Sequence, residues 1–199
     1  MSFEELARLG AATVYEASGR RGLVDLEFKQ LVPGSRACGP ARIARCGQDD
    51  NLAVHAVMAS LQPGEVLVLS MPSPAPVALL GDLLATQAQV RGAAAVLVDA
   101  AVRDSEELAR MGLPVWARWV RSRGATKTDV GELDVPVVVG GCEIRPGDLV
   151  VLDADGVTVV ASERAEAVLE ASLAREAKEA DKRAKLQAGA LSWELDGYA

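Results

Sequence analysis

The segment Ala94-Ala95-Val96-Leu97-Val98-Asp99-Ala100-Ala101-Val102-Arg103-Asp104 begins as an apolar run and ends in a charged pair. A run rich in valine and leucine predicts a strand, here 94–98, that is buried on both faces as in a parallel sheet. Arg103 and Asp104 follow that strand, where α/β proteins commonly place ligand-binding groups. A solvated turn in which Asp104 caps the next helix is the alternative, and this segment alone leaves both interpretations open.

The rest of the sequence predicts a mixed α/β fold, because strand patterns alternate with helix patterns before giving way to hairpins. We expect strands at 37–46, 65–71, 135–139 and 149–152 and around 115. We expect helices at the N-terminus, opened by Ser2, and at 13–18, 52–61, 80–90 and 105–111. Asp155-Gly156, between two apolar runs, predicts a hairpin turn. The expected fold is a layered β/β/α domain over 1–161.

Residues 162–199 differ in composition from the rest of the chain. Apolar residues at helical spacing among many charges predict a long amphipathic helix over 162–185. The tail beyond it turns apolar again at Leu191, Trp193, Leu195 and Tyr198, which favours burial. A chain of this length has little reason to return so long a helix to its own core, and docking on a neighbouring subunit is the alternative.

Composition narrows the class of protein. The chain has 199 residues, enough for a sizeable core, and no stretch of 18 unbroken apolar residues, which argues against a membrane span. Its N-terminus lacks the basic region of a secretory signal. Cys38, Cys46 and Cys142 are odd in number and lack CxxC spacing, which indicates reduced thiols in a cytoplasmic protein. A net charge of −7 argues against nucleic-acid binding.

A second motif lies upstream of the charged pair. Twenty residues separate Asp82, in Gly81-Asp82-Leu83-Leu84, from Arg103-Asp104. This spacing resembles the signature of the class II pyruvate aldolases that cleave 4-hydroxy-4-methyl-2-oxoglutarate and 4-carboxy-4-hydroxy-2-oxoadipate. The likeness extends through Thr13-Val14-Tyr15-Glu16-Ala17, Gly39-Pro40-Ala41, Asp50-Asn51-Leu52, Val135-Pro136-Val137, Arg145-Pro146-Gly147-Asp148 and Asp155-Gly156-Val157. The same superfamily contains the regulator of ribonuclease activity A, which is not an enzyme.

The resemblance implies a swivelling β/β/α domain, assembled as a homotrimer or a dimer of trimers, and a metal-dependent site. Asp104 matches the direct ligand of Mg²⁺ or Mn²⁺, and Asp82 matches the carboxylate that holds metal-bound water. Arg103 would bind the 2-oxo oxygen and carboxylate of the substrate. The backbone amides of 81–84 would cradle the substrate carboxylate at a helix N-terminus. Glu16 matches a residue near metal-bound water, although a helix-surface role fits equally well.

The activity implied is cleavage of a 4-hydroxy-2-oxo diacid to pyruvate and a second oxo acid, with decarboxylation of oxaloacetate through the same enolate. The alternative is a non-catalytic regulator that binds a protein partner. That branch lacks the acidic residue after the arginine and the upstream aspartate, whereas this chain retains Asp82 and Asp104 beside Arg103. A demethylmenaquinone methyltransferase is disfavoured because no Gly-rich nucleotide loop follows the first strand.

Other polar residues that could take part in the site have structural interpretations. All five lysines, Lys127 among them, are expected away from the strand-end cluster, which argues against a Schiff-base aldolase. His55, the only histidine, is expected to pack or hydrogen-bond on a helix. Asn51 could cap that helix or line the site, with capping favoured, and Arg123-Gly124 is expected to form a loop.

The chain departs from the family pattern at two positions. Ala100 replaces a common glycine. Ala190 stands where some relatives bring a glutamate from a neighbouring subunit, unless Glu194 reaches the same place.

Overall fold

A large mixed sheet forms the centre of the computed structural model, which describes residues 3–198. Its strands and those of a separate hairpin are β1 (Leu23–Val24), β2 (Lys29–Gln30), β3 (Ala37–Arg45), β4 (Val66–Ser70), β5 (Ala78–Leu80), β6 (Ala95–Val102), β7 (Val115–Val120), β8 (Glu132–Leu133), β9 (Val137–Val139), β10 (Cys142–Ile144), β11 (Leu149–Asp153) and β12 (Gly156–Val160). The helices are α1 (Phe3–Leu9), α2 (Ala11–Ala17), α3 (Leu52–Val57), α4 (Asp82–Val90), α5 (Ser105–Met111), α6 (Ala165–Gln187) and α7 (Ser192–Leu195).

The sheet has a parallel half and an antiparallel half that meet at β3. Its main strand order is β1-β12-β11-β3-β4-β6-β7-β2, in which β3, β4, β6 and β7 run parallel. The short strand β5 pairs in parallel with the last residues of β6. The carboxyl ends of β5 and β6 therefore lie side by side, and the chain leaves them as Gly81 and Arg103.

The two faces of the sheet are covered differently. Val96 and Val98 of β6 pack beneath α3, α4 and α5, whereas Leu97 between them faces the β9–β10 hairpin. Alternation along a strand sends successive side chains to opposite faces, which produces one helical layer and a second β layer. This arrangement confirms the predicted β/β/α fold with a C-terminal helix.

The C-terminal helix returns to its own chain over its first half. Val168 and Ser172 of α6 are buried against α1 and α2, and Arg8 pairs with Glu176 across the same contact. The expectation that so long a helix would not return to its own core is therefore wrong for this half. The tail differs, because Leu191 and Trp193 are each about 60% exposed. No helix within residues 3–198 is long and apolar enough to cross a membrane.

The remaining differences from the sequence prediction concern element boundaries. The strand expected at 94–98 continues to Val102, and the helix expected at 80–90 begins two residues later because Leu80 ends the unpredicted strand β5. A strand of three residues is too short to show a periodic pattern. The helix expected at 52–61 ends at Val57. Ser2, expected to cap α1, lies outside the described residues.

One carboxylate is buried inside β6. Asp99 is 2% exposed, and the Nε atom of Arg118 on β7 lies 3.1 Å from its Oδ1 atom. That approach is off the direction of a hydrogen bond, so Oδ1 has no hydrogen-bond partner among residues 3–198. Burial raises the pKa of Asp99 to about 6, and the charge of Arg118 only partly opposes this effect.

We expect Asp99→Asn to stabilise the fold at neutral pH. Because its pKa is raised, Asp99 keeps its proton in the folded state at pH values where the unfolded state has released it. The destabilisation of the fold by Asp99 is therefore absent below about pH 4, grows as pH rises and is complete above about pH 6. The gain at pH 8 should reach at most about 3 kcal/mol and should vanish at pH 4. Denaturant unfolding of the wild type and variant across this range measures it, with exposed Glu106→Gln as control. A gain that is the same at both pH values would contradict the assignment.

Candidate active site

The ends of β5 and β6 are held together by the backbone. The Arg103 N–H donates to the Leu80 carbonyl at 3.0 Å, immediately before α4 begins at Asp82. The Arg103 side chain is half exposed, and its Nη1 atom lies next to Gly124 in the loop after β7. The structure therefore brings the two sequence motifs, Gly81-Asp82 and Arg103-Asp104, into one cluster.

Asp104 turns the chain sharply at the end of β6. Its backbone is left-handed, with φ 57° and ψ 43°, a conformation that aspartate tolerates better than most residues. Its carboxylate makes no capping hydrogen bond to α5. Instead Oδ2 accepts the Asp82 N–H at 3.2 Å and lies 3.4 Å from the Nε atom of Arg103. Asp104 thus occupies the first position before α5 but places its charge at the N-terminus of α4, which favours an anion.

Gly81 permits this contact because it has no side chain. A Cβ atom at Gly81 would lie 2.5 Å from Asp104 Oδ2 and 3.0 Å from Arg103 Nε. The glycine is required by close approach, since its backbone is extended. Gly81 therefore sets the distance between α4 and the charged pair.

The expected amide cradle at 81–84 is partly occupied by the protein's own carboxylates. The Asp82 N–H donates to Asp104, and the Leu83 N–H donates to Asp82 Oδ1 at 2.8 Å. Within residues 3–198, the Leu84 N–H has no hydrogen-bond acceptor. A substrate carboxylate at this position would replace Asp82 Oδ1 on the Leu83 amide.

A pocket of about 200 Å³ opens beside the cluster. Its lining residues come from the N-terminal end of α3, from β5, from the start of α4, from the position after β6 and from the loop after β7. They are Asn51, His55, Ala78, Gly81, Asp82, Leu83, Leu84, Arg103, Ala125 and Lys127. Arg103 and Lys127 are fixed cations and Asp82 is the one carboxylate in this set. Asp104, which lies 3.4 Å from Arg103, adds a second carboxylate at the edge of the pocket, so two positive and two negative side chains meet there.

Three expectations about this region are wrong. Lys127 lines the pocket rather than lying elsewhere, and His55 is exposed at the pocket instead of packing on its helix. Asn51 makes no capping hydrogen bond and instead lines the pocket, which was the alternative to capping. Its Nδ2 atom donates to the Leu79 carbonyl at 3.0 Å, and Asp50 accepts the Leu52 N–H. Arg123-Gly124 lies in a loop, as predicted.

Glu16 lies apart from the cluster within one chain. Its carboxylate is 3.2 Å from Arg20 and 3.9 Å from Arg175, at the contact between α2 and α6. That contact covers the antiparallel half of the sheet. Neither Glu16 nor the tail residues Ala190 and Glu194 line the pocket of the same chain.

The donor set fits an open site for a hard divalent cation. No group of three or more histidine, cysteine, aspartate or glutamate side chains within residues 3–198 is arranged to enclose a metal. Mg²⁺ and Mn²⁺ need only one or two carboxylates and keep several waters. The Asp104 side chain is 35% exposed, and among the described residues 3–198 only its Oδ2 atom has polar partners, which leaves Oδ1 available to such an ion.

Comparison with known protein families gives a match that covers most of the chain. The model of the RraA-like family, Aldolase/RraA, matches residues 11–159. The chain belongs to the RraA-like family. The matched range contains Gly81, Asp82, Arg103, Asp104 and Lys127, so the whole cluster lies in the family domain.

Relatives in the RraA-like family bear names of several kinds. A Halalkalibacterium halodurans protein named "Putative 4-hydroxy-4-methyl-2-oxoglutarate aldolase" is 36% identical over 84% of this chain and 79% of its own length. Streptomyces coelicolor RraAS2, described as an unusual member of the RNase ES inhibitor RraA family, is 31% identical with a TM-score of 0.80, covering 91% of this chain and 94% of that one. A Geobacillus kaustophilus structure, described as an S-adenosylmethionine:2-dimethylmenaquinone methyltransferase, is 32% identical with a TM-score of 0.70, covering 75% and 93%. RraA-like membership alone therefore does not fix the activity.

We expect Gly81→Ala to break the contact between α4 and Asp104 while leaving the fold intact. The added methyl group must displace Asp104 Oδ2, so the Asp82 N–H loses its acceptor. Amide exchange at Asp82 should accelerate roughly tenfold, the factor that corresponds to one hydrogen bond. Gly124→Ala is the matched control, because its Cβ would meet only the mobile end of Arg103 at 3.1 Å. Unchanged exchange at Asp82 in Gly81→Ala would refute this role of the glycine.

Proposed function

We propose that the protein is a divalent-metal-dependent carbon–carbon lyase. It cleaves 4-hydroxy-4-methyl-2-oxoglutarate or 4-carboxy-4-hydroxy-2-oxoadipate to pyruvate and a second 2-oxo acid. The observation that carries this proposal is that Arg103 and Asp82 line the small pocket beside α4 while Asp104 lies directly against Arg103 and the Asp82 amide. The name of the Halalkalibacterium halodurans relative supports the same class of reaction.

The reaction places negative charge at one position. The C4 hydroxyl loses its proton, the C3–C4 bond breaks, and its electron pair becomes a pyruvate enolate that is later protonated at C3. The Arg103 guanidinium, beside Asp104, donates to the oxygen that gains this charge, and its contribution grows as the charge develops. Asp82 lines the pocket and accepts the hydroxyl proton, directly or through a water.

A Mg²⁺ or Mn²⁺ ion held by Asp104 would supply Lewis acidity at the 2-oxo oxygen. Asp82 would orient water on that ion, and the Leu83 and Leu84 amides would hold the adjacent carboxylate of the substrate. Oxaloacetate decarboxylation follows from the same residues, because loss of CO₂ from oxaloacetate leaves the same enolate beside Arg103.

The active unit is proposed to be an oligomer, as a homotrimer or a dimer of trimers. Leu191, Trp193 and Tyr198 form an exposed apolar tail at the end of α6, with the Trp193 and Tyr198 rings 5.6 Å apart. Lys182 holds the tail to α6 through a 2.6 Å ion pair with Asp196. An apolar patch presented in a fixed position is typical of a subunit contact.

A non-catalytic regulator is the alternative, and the description of Streptomyces coelicolor RraAS2 favours it. Such a protein would act through its surface and would have no need of carboxylates beside the arginine. Two carboxylates, Asp82 and Asp104, flank Arg103 in this chain, which supports the enzyme.

We expect Arg103→Ala to lower pyruvate release from either diacid by about 10²–10³-fold, because charge-assisted donors aimed at developing charge have effects of this size. Arg103→Lys should recover only part of the loss, since an ammonium lacks the forked geometry of a guanidinium. Steady-state assays of pyruvate release and oxaloacetate decarboxylation measure both. Exposed Arg110→Ala on α5 is the control. Near-normal activity of Arg103→Ala would show that the residue is structural.

Deletion of residues 188–199 should weaken assembly and lower activity together, because it removes the exposed tail but leaves the buried half of α6 in place. Light scattering and pyruvate release on the same preparations test this, with circular dichroism to check that the core stays folded. The point substitution Trp193→Ser should act in the same direction. A full-length protein that is an active monomer at micromolar concentration would rule the idea out.

A further inference from the structure

We propose that Lys127 binds the second carboxylate of the substrate and so selects diacids over monoacids. This inference rests on the proposed function and concerns the same pocket. Arg103 and the N-terminus of α4 serve the 2-oxo acid end of the substrate, where the bond breaks. A 4-hydroxy-2-oxo diacid carries another negative charge beyond C4, and the pocket needs a cation to receive it.

Lys127 has the position and charge for this task. It lines the same pocket as Arg103 but belongs to the loop after β7, whereas Arg103 follows β6 and Asp82 begins α4. No carboxylate within residues 3–198 lies in ion-pair distance of its ammonium group. Arg103 lies against Asp104, whereas the Lys127 ammonium is left without a carboxylate partner in this part of the chain, and such an ammonium attracts an anion rather than a neutral group.

An exposed lysine is commonplace on protein surfaces, but the backbone around Lys127 is fixed by a buried carboxylate. Asp50 is 1% exposed, and its Oδ2 atom accepts the Thr126 hydroxyl at 2.6 Å, the Thr128 N–H at 2.6 Å and the Thr128 hydroxyl at 3.2 Å. Lys127 lies between these two threonines. Asp50 therefore holds the loop by hydrogen bonds on both sides of the lysine.

The same carboxylate also connects the loop to α3. Asp50 Oδ1 accepts the Leu52 N–H at 2.8 Å, and the Asn51 N–H donates to the Thr126 carbonyl at 3.0 Å. Burial by itself would raise the pKa of Asp50, but the hydrogen bonds from Thr126, Leu52 and Thr128 outweigh it and hold that pKa below its usual range. Asp50 thus stays charged and acts as a positioning residue for Lys127.

The size of the pocket agrees with a short diacid. A volume of about 200 Å³ is below the roughly 300–1,000 Å³ of sites for larger ligands. Apart from its polar and charged side chains, the lining is small or apolar, with Ala78, Ala125 and Leu84. These residues suit the C4 substituent of the substrate, while Arg103 and Lys127 receive its two carboxylates.

The test compares 4-hydroxy-4-methyl-2-oxoglutarate with 4-hydroxy-4-methyl-2-oxopentanoate, in which a methyl group replaces the distal carboxylate. Both release pyruvate, so one assay with Mg²⁺ serves both. Lys127→Ala should lower the ratio of kcat/KM for the diacid over the monoacid by about tenfold or more, mainly through KM for the diacid. Lys127→Arg should restore most of the ratio, and Lys178→Ala on α6 is the control for an exposed lysine outside the pocket.

The role of Asp50 is tested by the same ratio. Asp50→Asn keeps the side-chain shape but weakens the hydrogen bonds that hold the loop. It should lower the diacid-to-monoacid ratio of kcat/KM, as Lys127→Ala does. In the Asp50→Asn, Lys127→Ala double variant it should add little to the effect of Lys127→Ala. Thr128→Val, which removes one hydroxyl donor, gives a milder form if Asp50→Asn folds poorly.

The outcomes separate the two proposals. A wild type that releases no pyruvate from either substrate refutes the proposed function, and this inference with it. An active wild type whose discrimination between the substrates survives in Lys127→Ala overturns the inference alone. Equal losses on both substrates overturn it as well, because they would assign Lys127 to the common part of the substrate.

Discussion

The left-handed turn at Asp104 is the constraint on which the candidate site depends. It ends β6 and directs the carboxylate away from α5 to the N-terminus of α4, where Oδ2 accepts the Asp82 N–H at 3.2 Å. The energetic cost of this backbone is offset by a negative charge at a helix N-terminus and by Arg103 at 3.4 Å. Gly81 completes the arrangement, because any side chain there would push the charged group away.

A second constraint builds another part of the pocket lining. Asp50 is buried and charged, and it ties the loop that carries Lys127 to the start of α3. The ends of β5 and β6 thus position Arg103, and the hydrogen bonds of Asp50 position the loop that carries Lys127. The mixed sheet supplies the rigid base for both, since β4 and β6 are buried along their whole length. Rigid support of this kind is what keeps charged groups at fixed distances in a small pocket.

The position of Arg103 is largely predictable from sequence, whereas that of Lys127 is not. The apolar run before Arg103 predicts β6, and the resemblance of the Asp82 to Arg103-Asp104 spacing to the aldolase signature implies that the two motifs share one site. The predicted strand ends before Asp99, because an aspartate in the local sequence is typical of a turn. Its burial opposite Arg118 is visible only in the structure. The sequence does not predict the position of Lys127, because Asp50 holds its loop from more than 70 positions away and no local pattern indicates such a contact.

Pyruvate release from 4-hydroxy-4-methyl-2-oxoglutarate, measured before and after chelation, tests the central claim most directly. The wild type should release pyruvate with Mg²⁺ or Mn²⁺ present, lose activity in excess chelator and recover when the metal is restored. Asp104→Ala should stay inactive at metal concentrations that restore the wild type, because the carboxylate that would hold the ion is gone. Full wild-type activity in excess chelator, or full metal-dependent activity of Asp104→Ala, would contradict the account.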